Sequence, residues 1–215
     1  MKKIVLFGDS ITDMFRNRDA DENGMSYGFG YPAFVKERLI KEGIDASLIN
    51  RGCGGEKTTE LIARLKTDVL DLKPDIVTIL VGVNDVWHKM LLNPDGTRNG
   101  NSIEQYEKNY IHIIETIQKE LPNTKIFLFG IFYLEVNDGN AEQWKILKEV
   151  PEYDKVIQKI AKNKNLVYTP LQPAMDQRAK ELGITNVLYD GVHPNIAGAV
   201  LIADKWTETV FPYIK

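Results

Sequence analysis

Short apolar runs alternate with stretches of helical periodicity along the whole chain. The runs occupy residues 4–7, 47–50, 76–81, 126–131 and 166–168. They are mostly continuous rather than alternating, as strands covered on both faces are, and they predict a parallel sheet. Between them apolar residues recur with a 3.6-residue period. One stripe is Ile103, Tyr106, Tyr110, Ile113, Ile114, Ile117 and Leu121, opened by Ser102 and Gln105 at capping-box spacing. A second is Leu61, Ile62, Leu65, Val69 and Leu72 behind Thr58. A third covers residues 31–39, with Pro32 near its start and Gly43 as its stop. Tyr153, Val156, Ile157 and Ile160 mark a fourth, and the last runs from 194 to about 211 around Ile196, Val200, Ala203 and Val210. The order is strand then helix, five times over. Right-handed crossovers turn that order into an α/β three-layer helix–sheet–helix sandwich on a five-stranded parallel sheet. No repeat, low-complexity tract or linker divides the 215 residues, so one domain over residues 1–215 is expected. Residues 13–30 and 86–101 lack periodicity, and loops of that length in a compact domain are usually functional or mobile.

Composition narrows the partners. With 27 basic against 30 acidic residues the net charge is −3, which argues against a nucleic-acid or anionic-membrane surface. The single cysteine, Cys53, excludes an intrachain disulfide framework and a multi-cysteine zinc site. The three histidines, His88, His112 and His193, show no metal-ligand spacing, so no metal is expected. The first apolar run is stopped by Asp9 and is too short for a signal-peptide core or a membrane span, so a cytoplasmic protein without stable membrane insertion is expected. Oligomeric state is left open.

In open parallel sheets ligands bind beyond the carboxyl ends of the strands. The residues that follow the runs are Gly8-Asp9-Ser10-Ile11, Arg51-Gly52-Cys53-Gly54-Gly55-Glu56 and Gly82-Val83-Asn84-Asp85, and near the C-terminus Asp190-Gly191-Val192-His193. Ser10, at a strand-to-helix edge, is the candidate nucleophile. A serine hydroxyl needs a base, which His193 can supply; Asp190, three residues earlier across a glycine-containing turn, can hold the imidazole Nδ1 and turn Nε2 to the serine. Three donors are available for an oxyanion: the Ser10 and Gly55 backbone N–H groups and the Asn84 side-chain amide.

These four segments, in this order, resemble blocks one, two, three and five of the SGNH (GDSL) hydrolase superfamily over almost the whole chain. The resemblance implies a flavodoxin-like five-stranded sheet and hydrolysis of esters or thioesters without a cofactor. It implies Ser10 as nucleophile, His193 as base, Asp190 as its orienter, and Gly55 and Asn84 as oxyanion donors. Ile11 stands where the family name has leucine, and Gly54 where serine or alanine is commoner, so Gly52 and Gly54 are alternatives to Gly55. The expected partner is a small-molecule acyl ester, cleaved through an acyl-enzyme, with short acyl groups favoured because no long apolar tunnel is legible. A non-catalytic binding domain and an acyltransferase using the same triad are the competing readings.

Plainer roles compete at several positions. Gly24-Met25-Ser26-Tyr27-Gly28 matches the nucleophile elbow of α/β-hydrolases, but residues 16–23 before it are too polar for the buried strand an elbow requires. Asp9, Trp87 and His88 are substrate-side candidates; against that, Asp9 reads as a backbone-bonding loop residue and His88 as a surface residue. Asp85 reads as a helix cap, His112 as surface and Cys53 as a small packing residue. Phe15, Tyr27, Phe29, Trp87, Met90, Leu91 and Leu92 are nominated as apolar walls.

Overall fold

The computed structural model describes residues 1–19 and 24–214. Strands β1 (Lys2–Gly8), β2 (Ala46–Gly52), β3 (Ile76–Leu80), β4 (Lys125–Phe129) and β5 (Val167–Thr169) form one all-parallel sheet in the order β2-β1-β3-β4-β5. Each apolar run seen in the sequence lies in one of these strands, within a residue or two at the ends. Ile4 pairs with Leu48 on one side and Ile76 on the other, and Ile4, Val5, Leu6 and Phe7 are fully buried. Continuous burial explains why these runs do not alternate.

From β1 the chain steps one way to β2, then back past β1 to β3, β4 and β5. Right-handed crossovers therefore place α2 (Tyr31–Lys41) on one face, and α3 (Thr58–Leu65), α5 (Ile103–Glu120) and α7 (Val150–Lys164) on the other. The last long helix, α10 (Ile196–Val210), packs on α2, where Arg38 Nη2 and Asp204 Oδ1 meet at 2.6 Å. The reversal falls between β1 and β3, and such a switch point opens a crevice at the carboxyl ends of the strands.

Local chemistry sets the helix ends. Pro32 lies in the first turn of α2, and Gly43 follows its end at φ +65°. The Ser102 hydroxyl accepts from Gln105 N at 3.3 Å, but the Gln105 side chain bonds Asn109 instead, so only half of the capping box forms. α3 includes Thr58 rather than starting behind it, and it widens into a π-turn over Lys66–Leu70. α10 starts at Ile196 rather than 194 because Pro194 is held in an antiparallel bridge with Leu188.

Five further helices had no visible stripe: α1 (Ser10–Asp13), α4 (Val83–Trp87), α6 (Ala141–Leu147), α8 (Gln172–Leu182) and α9 (Ile184–Val187). Among the described residues no helix is long and apolar enough to cross a membrane. Residues 20–23, part of the aperiodic 13–30 stretch, lie outside the described residues.

Candidate active site

The nucleophile candidate sits in a tight reversal at the end of β1. The Asp9 carboxylate accepts from Ile11 N at 3.0 Å and the Asp9 carbonyl from Asp13 N at 2.9 Å, which winds residues 10–13 into a single turn beginning at Ser10. The end of β2 presses on that turn: a Cβ on Gly52 would overlap the backbone of Thr12 and Asp13, so only glycine allows the approach. The Asn50 amide reinforces the contact by donating to Thr12 O at 2.7 Å.

The Leu188–Pro194 bridge closes the loop that carries the other two groups. Asp190 Oδ1 accepts from the backbone N–H of Val192 at 3.0 Å and of His193 at 2.7 Å. Its Oδ2 lies 2.6 Å from His193 Nδ1, and His193 Nε2 lies 2.8 Å from Ser10 Oγ, across 183 residues of chain. An ionised carboxylate only accepts, so the proton of a neutral imidazole sits on Nδ1 and the Nε2 lone pair faces the serine hydroxyl. The Tyr189 ring stacks on the imidazole at 5.6 Å, and Trp87 lies tilted against it at 5.9 Å.

Burial alone would lift the Asp190 carboxyl, but hydrogen bonds from the imidazole and the two backbone N–H groups outweigh it and hold its pKa below the usual value. Burial likewise works against a charged His193, yet the hydrogen bond and charge of Asp190, with Asp9 behind them, keep its pKa above 6.5. Asp9 itself is fully buried, and burial pushes its carboxyl up to about 7 against the opposing hydrogen bond from Ile11. It lies out of a substrate's reach, so its place is in the turn rather than among the substrate contacts.

The three candidate oxyanion donors keep N–H groups to spare. The Ser10 and Gly55 N–H groups have no partner among the described residues. Asn84 Nδ2 donates one hydrogen to Glu56 O at 3.0 Å, which orients the amide and leaves its second N–H free. Gly52 N–H is committed to Asn50 Oδ1 at 2.8 Å and Gly54 N–H to Asp13 Oδ2 at 2.9 Å, so neither alternative glycine has a donor to spare. Gly55 adopts φ +78°, a conformation that glycine reaches without strain.

Asp85 is a cap, but of a neighbouring helix. Its carboxylate accepts from Thr58 N (3.1 Å), Thr58 Oγ1 (2.6 Å) and Asn101 Nδ2 (2.6 Å), which ties the start of α3 and the loop before α5 to the turn that carries Asn84. Asp85→Ala strands these buried donors. A loss of about 2–4 kcal/mol is expected in urea unfolding; a loss below about 0.5 kcal/mol would mean the clamp carries no load. Arg64 fixes the same region from below, donating to Gly8 O and Arg51 O, each at 2.8 Å.

Other candidates lie elsewhere. Ser26 is buried in the 3-10 turn Gly24–Tyr27, and the imidazole's hydrogen bond goes to Ser10. His112 is exposed. Cys53 is half-buried, its thiol beside the Arg16 guanidinium. His88 is not a surface residue: half-buried, it lines a cavity of about 320 Å³ together with Trp87, Met90, Leu91 and Gln143. The other nominated walls do not line that cavity. Tyr27 is buried in the core, while Phe15 and Phe29 are 81% and 78% exposed and Leu92 is also largely exposed.

The sequence and the fold both match known esterases. The model of the GDSL-like lipase/acylhydrolase family matches residues 6–201. An acetylxylan esterase from Geobacillus stearothermophilus is 31% identical over 210 residues, covering 94% of this chain and 90% of that protein. A crystal structure of a GDSL-like lipase from Parabacteroides merdae superposes with a TM-score of 0.85 at 32% identity, covering 96% of this chain and 94% of the other. The crystal structure of an acetylxylan esterase from G. stearothermophilus superposes at 0.83 with 27% identity, covering 96% and 93%. Solved forms of that enzyme include catalytic mutants in which a serine, an aspartate and a histidine are each replaced by alanine. A parallel α/β sheet with a hydroxyl at the end of its first strand here accompanies carboxylic ester hydrolysis. The chain belongs to the GDSL-like lipase/acylhydrolase family, and it is an enzyme rather than a binding domain that kept the fold.

Proposed function

We propose that the protein is a serine esterase that removes acetyl and similarly short acyl groups from sugar hydroxyls. The observation that carries this reading is the unbroken chain Ser10 Oγ, His193 Nε2, His193 Nδ1, Asp190 Oδ2, with hydrogen-bond distances of 2.8 and 2.6 Å. His193 takes the Ser10 proton as Oγ attacks the acyl carbon, and the oxyanion that forms accepts from Ser10 N–H, Gly55 N–H and Asn84. The imidazolium then protonates the departing alkoxide, and water repeats the sequence on the acyl-serine. Asp190 keeps the proton on Nδ1 and stabilises the imidazolium. The preference for a short acyl group on a sugar is supported by the acetylxylan esterase relative, which the chain covers nearly end to end.

The test is acetate release from acetylated xylo-oligosaccharides and from p-nitrophenyl acetate, with mass-spectrometric mapping of the site labelled by a fluorophosphonate. The label is expected on Ser10. Absence of both acetate release and a Ser10 adduct would overturn the reading.

The pH dependence follows from the base. Only neutral imidazole can take the serine proton, so kcat/KM is expected to rise with pH along a single ionisation. Because His193 is held above its ordinary value of 6.5, the midpoint lies above 6.5, and activity is lost as pH falls through it. A flat profile would mean that His193 is not the base, and a midpoint below 6.5 that Asp190 does not raise it.

A further inference from the structure

One wall of the 320 Å³ cavity is Trp87, whose ring lies against the imidazole, and the cavity is apolar except at two points. Trp87, Met90 and Leu91 supply its apolar walls, and His88 and Gln143 its polar ones. Gln143 was invisible to periodicity because it sits in the first turn of the seven-residue α6. Its side chain is oriented without ambiguity. Asn140 Oδ1 accepts from Gln143 N at 3.2 Å, which makes the other Asn140 amide atom the donor Nδ2. Asn140 Nδ2 in turn donates to Gln143 Oε1 at 3.2 Å, so the free end of Gln143 is Nε2. Gln143 is only 7% exposed, yet Nε2 has no hydrogen-bond partner among the described residues. The residue is thus held by its neighbours while its donor stands free at the cavity wall, open to a hydrogen-bonding ligand. His88 adds an imidazole that burial, with the Lys57 charge nearby, keeps neutral, so it can both donate and accept.

The position of the cavity tells which half of an ester it serves. In acyl transfer from an ester the imidazole must reach the alkoxy oxygen to protonate it. The group attached to that oxygen therefore lies on the imidazole's side of Ser10, where the Trp87 ring is 5.9 Å from that of His193. An indole wall with a few convergent hydrogen-bonding groups suits a ring that has an apolar face and hydroxyls on its edge. The volume is at the small end of ligand sites, about one sugar ring rather than a long chain.

We propose that this cavity is the leaving-alcohol subsite: a pyranose ring stacks on Trp87 while Gln143 Nε2 donates to one of its hydroxyls. The inference rests on the esterase reading above and assigns Gln143 as a specificity-determining contact.

Two measurements test it. The first uses the Ser10→Ala protein, which cannot turn substrate over, titrated with xylobiose while tryptophan fluorescence is followed. A saturable change that Trp87→Phe abolishes reports Trp87, since Trp144 and Trp206 remain in that variant. Adding Gln143→Leu is expected to weaken binding about 3- to 10-fold, the cost of one hydrogen bond. Gln143→Glu keeps the acceptor for Asn140 while replacing the donor with a charged acceptor, so it guards against loss of the Asn140 contact and should weaken binding at least as much. The second compares kcat/KM on acetylated xylo-oligosaccharide with that on p-nitrophenyl acetate. Either substitution is expected to lower the sugar-to-aryl ratio by the same 3- to 10-fold.

No fluorescence change with xylobiose, or an equal loss on both esters, overturns the subsite. A gain in preference for butyrate over acetate in Gln143→Leu also overturns it, since that would put the acyl chain in the cavity. If the unmodified protein hydrolyses neither ester and takes no fluorophosphonate label, the esterase reading itself fails and the leaving-group role falls with it. The titration separates that case from failure of the subsite alone.

Discussion

Ser10→Ala is expected to lower kcat/KM for p-nitrophenyl acetate by about 10⁴- to 10⁶-fold, the loss typical when the nucleophile is taken from a serine–histidine–carboxylate unit. The substitution deletes one oxygen, whose hydrogen bond is the 2.8 Å contact to His193 Nε2. The turn that holds residue 10 is built from the Asp9 side chain and backbone groups, all of which survive. Stability should therefore change by no more than about 1 kcal/mol, and an unchanged Tm beside a collapsed rate identifies a chemical loss rather than unfolding. Fluorophosphonate labelling should vanish in the same variant. A Ser10→Ala protein that keeps more than about a tenth of the activity would show that another group forms the acyl-enzyme; Ser26→Ala, which removes the hydroxyl of the rival glycine–serine–glycine motif, is the comparison that would reveal it.

Asp190→Asn is expected to cost about 10⁴-fold in kcat, from the wrong imidazole tautomer. Here the local geometry forces that tautomer. Asp190 Oδ1 accepts two backbone N–H groups, those of Val192 and His193, so an asparagine must keep its carbonyl oxygen at that position. Its amide nitrogen is then left at the Oδ2 position, 2.6 Å from His193 Nδ1. A nitrogen that donates to Nδ1 drives the imidazole proton to Nε2, and an Nε2–H cannot accept from Ser10. The loop itself stays closed, because the two backbone bonds and the Leu188–Pro194 bridge are untouched. The measurement is kcat with the thermal midpoint alongside. A loss below about 10-fold would mean that Asp190 neither orients nor stabilises the base.

Most of the sheet was legible because its strands are buried on both faces, and an apolar run such as Ile4-Val5-Leu6-Phe7 has few alternatives of that length. Long helices with a wide buried stripe, such as α5 with Tyr106, Tyr110, Ile113, Ile114 and Ile117, were legible for the matching reason. α8 left almost no trace because it buries Met175 alone, and α1, α4, α6 and α9 are too short for a 3.6-residue period to repeat twice. Ser10, Asn84, Asp190 and His193 stood out by residue type directly after strand ends or in a glycine turn. Asn50 offered a usable signal, a polar side chain inside an apolar run, and it proves to brace the serine turn. Arg64 and Gln143 offered none: a single arginine on a polar helix face and a glutamine after an aperiodic loop acquire meaning only from partners far away in the chain.

The hydroxyl and the imidazole that meet at 2.8 Å come from the first strand's exit and from the loop just before α10. A polypeptide leaving the ribosome holds the first for 183 residues of chain before it gains the second. The elements between them, from α2 through α9, must be stacked for the ring to find its target. Fragments that stop short of α10 also lack the helix that packs on α2. Hydrolysis thus waits on the whole span between them, and its return after dilution from denaturant times the closure of that span rather than of any local piece.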